Sequence, residues 1–339
     1  MKRWVLALLL VAACKPSDRP RPKKLVLYCS AQHEWCEALS SAYEQTSGVR
    51  VSMIRKSSGE AYAQLVAERR NPKGDVWWGG TGDTHFQAAA AGLTEVYRSP
   101  RLAELHPWAV DPAGHGEHRT TGVYMGALGF GYNREWLAKK KITPPRSWAD
   151  LLRPELDKEI QIANPSSSGT AYTALATIVQ LFGEDEGFDY LAKLDRNVNQ
   201  YTKSGAAPIR AAARGETGVG VVFLHDVATQ IASGFPIEMV VPREGTGYEI
   251  GCMSLVRGAR HEDEAKAFFD WALSKEAQEL GAGVKAFQIP SNRTARVPKE
   301  APIVPADQLI DFDFERFSQA SERSRLLSRF ERDVRGAAE

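Results

Sequence analysis

Short apolar runs alternate with segments of helical periodicity from residue 25 onward, and this alternation constrains the fold more than any other feature of the chain. Apolar and β-branched runs predict strands, and apolar residues at spacings of three and four predict helices. Alternating strands and helices predict a mostly parallel sheet with helices on both faces, which is an α/β fold. Ligands of such sheets bind beyond the carboxyl ends of the strands. The predicted strands of this first unit are 25–28, 49–54 and 75–80, and its predicted helices are 34–48, 59–70 and 83–93.

The alternation restarts after a long apolar segment, 123–137, which we expect to be a strand that crosses between two domains. A length of 339 residues is also typical of two domains of ordinary size. The segment 247–256 indicates a strand that returns, and the amphipathic tail 305–335 predicts a helix docked on the surface. The remaining predicted strands are 159–164, 219–224 and 237–242, and the remaining predicted helices are 168–182, 184–195, 206–214, 226–233, 262–273 and 275–282.

The first residues of the chain have the composition of an export signal. Lys2 and Arg3 precede the apolar run "WVLALLLVAA", which is too short to span a membrane as a mature helix. The end of this run, up to Cys14, resembles a bacterial lipobox, in which the cysteine becomes an acylated N-terminus. The basic, proline-rich stretch "KPSDRPRPKK" then indicates an extended tether. We expect a signal peptide over 1–13 and a lipidated tether over 14–24, the alternative being a plain signal peptide.

Charge and cysteine content narrow the classes of function. A formal net charge of +1 argues against nucleic acid as a partner, because nucleic acid normally requires a basic surface excess. Cys29, Cys36 and Cys252 remain once Cys14 is assigned to the lipid, and an exported protein can hold one disulfide and one spare thiol. Cys29–Cys36 is the preferred pair because the two residues are close in sequence. No Cys-x-x-Cys occurs, so no thiolate zinc site is predicted.

Small polar residues and a glycine stand directly before an apolar helix in "ANPSSSGTAYTAL" (163–175). The free N–H groups at a helix N-terminus bind anions, and hydroxyl groups add further donors. Ser166, Ser168, Gly169 and Thr170 are therefore candidate anion ligands. The alternative is an N-cap followed by a turn, for which one such residue would suffice.

Further candidates lie before a second predicted helix and after two predicted strands. Ser204 in "YTKSGAAPIRAA" (201–212) precedes a second helix start, where simple capping is an equal alternative. Ser30 in "YCSAQHEW" and Thr81 in "WWGGTGD" follow strands of the first unit and are predicted to contact ligand. His33 is interpreted as part of the first turn of a helix. No P-loop or Rossmann glycine pattern occurs, so nucleotide chemistry has little support.

A predicted strand ends in His225 and Asp226 within "VVFLHDVATQ" (221–230). The chain has no Gly-x-Ser-x-Gly, and adjacent side chains diverge on a helix, so a catalytic triad is not predicted. Metal-ligand spacing is also missing from the sequence. We therefore expect no catalytic residue, no metal ligand and no cofactor, and we interpret the pair as hydrogen-bonding groups for ligand hydroxyls. Glu249 is an acid in a predicted buried strand and is a further acceptor, unless that strand is an exposed edge.

Several motifs resemble those of a known family, in the same order along the chain. They are "LVLYCSAQHEWCEALSSAYEQTSGVRV", "DVWWGGTGD", "NPSSSGTAYTAL", "GETGVGVVFLHD" and "AFQIPSN", and they resemble bacterial ABC-transporter solute-binding proteins, most of all the periplasmic iron(III)-binding type. The resemblance implies a monomeric periplasmic protein that performs no chemistry and delivers ligand to ABC permease and ATPase subunits. It implies a type II-like fold of two α/β lobes with ligand in the cleft between them. Lobe 1 would comprise 25–124 plus 250–339, and lobe 2 would comprise 125–249.

At one position the chain departs from the iron(III)-binding members. Those proteins carry adjacent tyrosines where the strand "VGVV" ends, whereas this chain continues Phe-Leu-His-Asp. A His-Asp pair at this place, with a later glutamate, resembles the branch that binds hexose phosphates. That resemblance implies that His225, Asp226 and Glu249 hold sugar hydroxyls, and that Ser30 and Thr81 contribute from lobe 1.

The same resemblance implies that Ser166, Ser168, Gly169 and Thr170 hold the phosphate of a hexose phosphate. Related branches bind phosphonates such as 2-aminoethylphosphonate, and these ligands also need an anion site. The alternatives are therefore a binder of iron(III) or of an organophosphonate. A cysteine-dependent enzyme on the same fold and a binder that signals to a receptor are further alternatives.

Overall fold

The structure, a computed structural model, describes residues 23–112, 114 and 117–336. The predicted signal peptide and the acylated Cys14 lie outside the described residues. The predicted tether reaches residue 24, but Lys24 already pairs with Arg50 as the first residue of a strand. Within the described ranges, no helix combines the length and the apolar character that a membrane crossing requires.

Strands and helices alternate along the chain, as the apolar pattern predicts. The strands are β1 (Lys24–Cys29), β2 (Arg50–Arg55), β3 (Val76–Thr81), β4 (Thr121–Asn133), β5 (Ile160–Ala163), β6 (Val198–Thr202), β7 (Val219–Phe223), β8 (Ile237–Val240), β9 (Tyr248–Leu255) and β10 (Ile289–Pro290). The helices are α1 (His33–Ser47), α2 (Ser58–Glu68), α3 (Gly82–Ala90), α4 (Pro107–Val110), α5 (Arg134–Lys140), α6 (Gly169–Phe182), α7 (Glu184–Asn197), α8 (Ala207–Ala213), α9 (Leu224–Ala232), α10 (Glu262–Ala272), α11 (Lys275–Gly283), α12 (Phe314–Ser318) and α13 (Ala320–Arg329).

Local signals set the helix limits in the first unit. α1 ends because Gly48 adopts a left-handed conformation, with φ of 69°, and donates its N–H to the carbonyl of Glu44 at 2.9 Å. α2 begins at a capping box, in which the Glu60 carboxylate accepts a hydrogen bond from the Ser57 N–H at 3.0 Å. The capping box starts α2 close behind the end of β2, where we expect a ligand.

The strands form one mixed sheet in the order β2-β1-β3-β9-β4-β7-β5-β6, with β8 and β10 also pairing with β4. The predicted parallel pairing occurs on both sides, between β1 and its neighbours β2 and β3, and between β5 and its neighbours β6 and β7. The long strand β4 joins the two sides, because residues 121–127 pair with β9 and residues 128–132 pair with β7, both antiparallel. A crossing strand therefore lies where one is predicted, but it ends at Asn133, and residues 134–137 of the predicted strand belong to α5. The structure has two α/β lobes, one on each side of β4 and β9.

The C-terminal tail packs on a different lobe from the one predicted. Its apolar side chains Phe312, Phe317, Leu326 and Phe330 lie in the same buried cluster as the core of β4, β5 and β7. This packing differs from the prediction that 250–339 as a whole belongs to lobe 1. The tail is also not one helix over 305–335, because α12 and α13 are separated at Gln319 and a π-helical turn follows them. The other lobe limits stay a prediction.

Candidate ligand-binding site

The carboxyl ends of strands from both sides of the sheet meet at one cavity of about 360 Å³. The loops after β1, β2 and β3 line one wall, and the loops after β5, β6 and β7 line the opposite wall. Ligands of α/β sheets are expected at this position, beyond the carboxyl ends of the strands. The lining residues that carry the argument below are Gln32, Arg55, Ser57, Ser58, Thr81, Ser168, Gly169, Thr170, Ser204, His225, Asp226, Glu249 and Gln288.

One end of the cavity is rich in hydroxyl and N–H donors around Arg55. The Arg55 guanidinium donates to the carbonyl of Ala31 at 3.2 Å, to the hydroxyl of Ser57 at 3.3 Å and to the hydroxyl of Ser204 at 3.5 Å. Burial lowers the pKa of Arg55, which still remains far above neutral pH for a guanidinium. None of these three partners is a carboxylate. The charges of Glu60 and Asp226 also act on Arg55, but neither forms an ion pair with it, so the guanidinium can bind an anion.

Two glycines allow close contacts at this end, Gly169 between the two walls and Gly205 within one wall. A Cβ on Gly169 would lie 2.0 Å from the hydroxyl oxygen of Thr81, and a Cβ on Gly205 would lie 2.1 Å from the hydroxyl oxygen of Thr170. Gly169 is the first residue of α6, and Ser168 caps this helix by accepting from the N–H of Ala171 at 3.4 Å. The close approach brings hydroxyl groups of both lobes to the N-terminus of α6.

The other end of the cavity holds two carboxyl groups and an imidazole. The Nε2 atom of His225 lies 3.8 Å from a carboxyl oxygen of Asp226 and 3.8 Å from one of Glu249. All three residues are buried, with exposed fractions of 3%, 6% and 4% in this order. Gly126 makes room for the ring, because a Cβ there would lie 2.4 Å from Nδ1 of His225.

Burial sets the protonation of this cluster. It lowers the pKa of His225, an effect that the charge of Asp226 partly opposes. It raises the pKa of Glu249 well above the ordinary value, and the charges of Asp226 and Asp83 add to the increase. Burial also raises the pKa of Tyr124, with a further contribution from Glu249. A cluster of this kind can exchange hydrogen bonds with polar groups of a ligand.

A pair of glutamines connects this end to the opposite wall. Gln32 donates to the carboxylate of Asp226 at 2.9 Å and accepts from the amide of Gln288 at 3.0 Å. The Gln288 carbonyl oxygen has no hydrogen-bond partner within the described residues, and neither has the Thr81 hydroxyl oxygen, although both residues are buried. Buried polar atoms that line a cavity without partners are positioned to bind a ligand.

Most of the predicted site residues lie together in the cavity. Ser166 is the exception, since it is exposed and its N–H donates to the Asn164 side chain at 2.8 Å as part of the turn before α6. The capping interpretation is therefore the better one for this residue, and its predicted contact with ligand has no support from the geometry. The predicted residues that line the cavity are Ser30, Thr81, Ser168, Gly169, Thr170, Ser204, His225, Asp226 and Glu249, and their role in binding stays a prediction.

Sequence reasoning missed Arg55 and Gln288. The loop "RKSSG" follows a predicted strand and is therefore a predicted ligand loop, but nothing in the sequence distinguishes Arg55, Ser57 or Ser58 within it. Gln288 had no such signal, because it follows neither a long strand nor a helix start. Tyr124 also lines the cavity, and its hydroxyl accepts from the N–H of Gly80 at 2.9 Å.

The predicted disulfide between Cys29 and Cys36 is confirmed, with an S–S distance of 1.98 Å. It links the end of β1 to the first turn of α1 and closes the loop that carries Ser30 and Gln32 into the cavity. Neither cysteine is then a free nucleophile. Cys252 is a buried thiol whose pKa is raised by burial, which makes it unreactive.

Metal chemistry has little support from the side chains present. In the part of the chain that the structure describes, no group of three or more His, Cys, Asp or Glu residues is arranged to hold a metal ion. The end of β7, where iron(III)-binding members carry tyrosines, has Phe223 and Leu224, and both are buried in apolar clusters. Phenolate ligands for a ferric ion are therefore missing at this position.

Comparison with solved structures finds two-lobed periplasmic binding proteins. The periplasmic binding protein AfuA from Actinobacillus pleuropneumoniae, solved with exogenous fructose-6-phosphate bound, is 48% identical with a TM-score of 0.90, over 92% of this chain and 99% of AfuA. The periplasmic binding protein P5PA is 38% identical with a TM-score of 0.88, over 92% of this chain and 99% of its own. These values confirm the predicted fold class.

Comparison with curated sequences agrees with the structural matches. A Haemophilus influenzae protein of unassigned function is 47% identical over 330 residues, which cover 96% of this chain and 95% of the relative. The sequence profile of the bacterial extracellular solute-binding proteins matches residues 72–319, which is well over half of the chain. The chain therefore belongs to the family of bacterial extracellular solute-binding proteins.

Proposed function

We propose that this protein captures a hexose phosphate between its two lobes and delivers it to the permease and ATPase subunits of an ABC importer. The observation that carries the proposal is the polarity of the cavity, which has a cationic, hydroxyl-rich end at Arg55 and a carboxyl-imidazole end at His225, Asp226 and Glu249. A phosphorylated sugar has the matching polarity, with an anion at one end and hydroxyl groups at the other.

The end around Arg55 suits a phosphate group. A phosphate monoester carries close to two negative charges at pH 7 and presents three acceptor oxygens. Arg55 supplies charge, the hydroxyls of Thr81 and Thr170 supply donors, and the first N–H groups of α6 supply a positive partial charge. Hydrogen bonds to charged groups contribute about 1.5–3 kcal/mol each, so this end provides most of the affinity.

The opposite end suits a sugar hydroxyl pattern. Carboxyl oxygens accept from hydroxyl donors, and a neutral imidazole or a neutral carboxyl group can also donate. Such a site discriminates against ligands that lack the hydroxyls, because its buried polar groups would then stay unpaired. AfuA, whose structure contains fructose-6-phosphate, supports the same class of ligand for this chain.

The N-terminal sequence and the family support a proposal for the location of the protein. An exported chain with an acylated Cys14 would be held at a membrane surface by lipid, and the basic tether would allow the lobes to reach the permease. The family description is that of extracellular solute-binding proteins, which supports export. We propose a monomeric, periplasmic lipoprotein.

An organophosphonate such as 2-aminoethylphosphonate is the second candidate. Its phosphonate would occupy the Arg55 end, and its ammonium group would pair with the carboxyl groups of Asp226 and Glu249. Iron(III) is disfavoured, because no tyrosine follows β7. A sugar phosphate would present hydroxyl groups to Asp226 and Glu249, whereas the aminophosphonate would present an ammonium group. A comparison of their affinities can therefore distinguish the two candidates.

Calorimetric titration of the soluble lobes, residues 23–339, tests the proposal. Fructose-6-phosphate and glucose-6-phosphate are expected to bind far more tightly than 2-aminoethylphosphonate, free fructose, inorganic phosphate or ferric citrate. Tighter binding of 2-aminoethylphosphonate than of either sugar phosphate would replace the first candidate by the second. Absence of binding by both sugar phosphates would refute the proposal.

The Arg55→Met variant tests the role of the cation. We expect its affinity for fructose-6-phosphate to fall by about 10–150-fold, the equivalent of about 1.5–3 kcal/mol for one charged hydrogen-bonding group. Arg134→Met is the matched control, because Arg134 pairs with Glu238 on the surface and does not line the cavity. Equal affinities of the two variants would exclude Arg55 as the phosphate partner.

A further inference from the structure

The carboxyl-imidazole end of the cavity contains more acidic groups than its surroundings can neutralise. Asp226 and Glu249 approach the same nitrogen of His225, each at 3.8 Å, and are at most 6% exposed. At 3.8 Å neither contact is a hydrogen bond. A buried carboxylate without a cation or hydrogen-bond donors is costly, and two of them beside one imidazole are more so.

The two carboxyl groups have different surroundings. Asp226 accepts a hydrogen bond from Gln32 at 2.9 Å and experiences the positive charge of Arg55. Glu249 accepts no hydrogen bond from the described residues, and its only ion-pair contact there is the one to His225. The ionised form of Asp226 is therefore supported by neighbours that Glu249 lacks.

The remaining titratable groups around Glu249 do not supply a positive charge. They are Tyr124 on β4, Cys252 on β9 and Asp83 on α3. Asp83 forms its own buried ion pair with Arg323 at 2.5 Å, so that arginine is already occupied. His225 on α9 is a weak source of charge, because burial lowers its pKa.

We propose that Glu249 holds a proton in the ligand-bound site and donates it in a hydrogen bond to an oxygen of the ligand, while Asp226 stays ionised and accepts. This inference rests on the proposed function, since it assigns hydrogen-bond directions to a hydroxyl-bearing ligand. Ligand binding is then linked to proton binding. The cavity contains one carboxylic acid that donates a hydrogen bond, Glu249, beside one carboxylate that accepts, Asp226. The elevated pKa of Glu249, caused first by burial, agrees with this assignment.

The sign of the pH dependence follows from linkage. If ligand binds to the protonated form of Glu249, affinity is highest below the pKa of this group in the free protein and falls as the pH rises through it. The second ionisation of a sugar phosphate is near pH 6, so above about pH 7 the ligand itself no longer changes charge. The range from pH 7 to 9.5 therefore reports on the protein.

Calorimetry with fructose-6-phosphate over pH 7–9.5, in buffers of different ionisation enthalpy, tests the inference. The wild-type protein is expected to take up protons on binding and to lose about tenfold in affinity per pH unit above the pKa of Glu249. Glu249→Gln keeps a neutral donor, so we expect no proton uptake by this variant and an affinity that does not fall between pH 7 and 9.5. Glu249→Ala lacks the donor and is expected to bind weakly at every pH.

The outcomes separate this inference from the proposed function. If wild-type protein binds fructose-6-phosphate without proton uptake and Glu249→Gln is as weak as Glu249→Ala, Glu249 binds as a carboxylate and the inference is wrong. If proton uptake persists in Glu249→Gln, another group such as His225 carries the proton, and the inference is also wrong. If the wild-type protein binds no sugar phosphate at any pH, the proposed function itself fails. Circular dichroism and thermal unfolding of each variant establish that the fold is retained.

Discussion

The close approach of the two lobes at Gly169 leads to a prediction about affinity. In Gly169→Ala, the new methyl group would lie 2.0 Å from the hydroxyl oxygen of Thr81 and 2.9 Å from its Cβ. Rotation of the threonine side chain can move the oxygen but not the Cβ, so the backbone must move as well. Contacts between heavy atoms are optimal at about 3.5–4.0 Å, which means that the walls must separate by about 1 Å.

The expected cost is that of overpacking, about 1–3 kcal/mol. If the cost is imposed on the closed, ligand-bound arrangement, affinity for fructose-6-phosphate falls by about 5–150-fold, at about 1.4 kcal/mol per factor of ten. Folding stability of the separated lobes should change little, because alanine is a better helix former than glycine by up to about 1 kcal/mol. The variant therefore separates closure from folding.

Calorimetric affinity and thermal unfolding without ligand are the two measurements. Gly283→Ala is the matched control, because a Cβ at this helical glycine would meet no atom within 4 Å. An affinity of Gly169→Ala within twofold of the control would show that the two walls do not need this contact for binding. A large loss of stability without ligand would show that the contact belongs to the folded lobes rather than to closure.

Two further predictions concern stability. Replacing Cys29 and Cys36 by serine removes the disulfide and is expected to lower the free energy of unfolding by about 2 kcal/mol. Binding should also weaken, because the disulfide closes the loop that places Gln32 beside Asp226. An unchanged denaturant midpoint and an unchanged affinity would contradict this prediction. Hydrogen bonds from Arg325 lower the pKa of Glu184 to about 2, so its stabilisation is present above pH 4.5 and is lost as the pH falls through about 2. Glu184→Gln should therefore lower the free energy of unfolding by about 1 kcal/mol at pH 7, and urea titration should show this difference shrinking by about half at pH 3; an equal difference at both pH values would contradict it.

Much of the candidate site could be predicted because a parallel strand places its following loop at one edge of the sheet. Ser30, Thr81 and His225 each follow a predicted strand, Ser204 precedes a predicted helix, and the structure brings all four to the cavity. Ser166 shows the limit of this reasoning, because in one helix-capping turn only some side chains face the ligand side. The β6 strand shows another limit, since its polar residues at the sheet edge carry no apolar signal.

Three features depended on contacts that no local pattern contains. Arg55 is a candidate anion ligand because it is buried and bonds to residues of both lobes. In the sequence it cannot be distinguished from the other arginines. Gln288 bonds to Gln32 across 256 positions of the chain. The tail returns to the core around β5 and β7 because its phenylalanines find a complementary apolar surface there.

By itself the sequence determined the α/β class, the crossing strand, the Cys29–Cys36 pair and the strand ends that line the cavity, because these follow from periodicity and local chain geometry. Only the tertiary structure decided which strand ends face each other across the cavity. It also decided which acidic group is left without a donor, because Gln32 reaches Asp226 and not Glu249. Hydrogen bonding and burial in the cavity depend on distances of a few ångströms between segments far apart in the chain, and sequence patterns do not encode those distances.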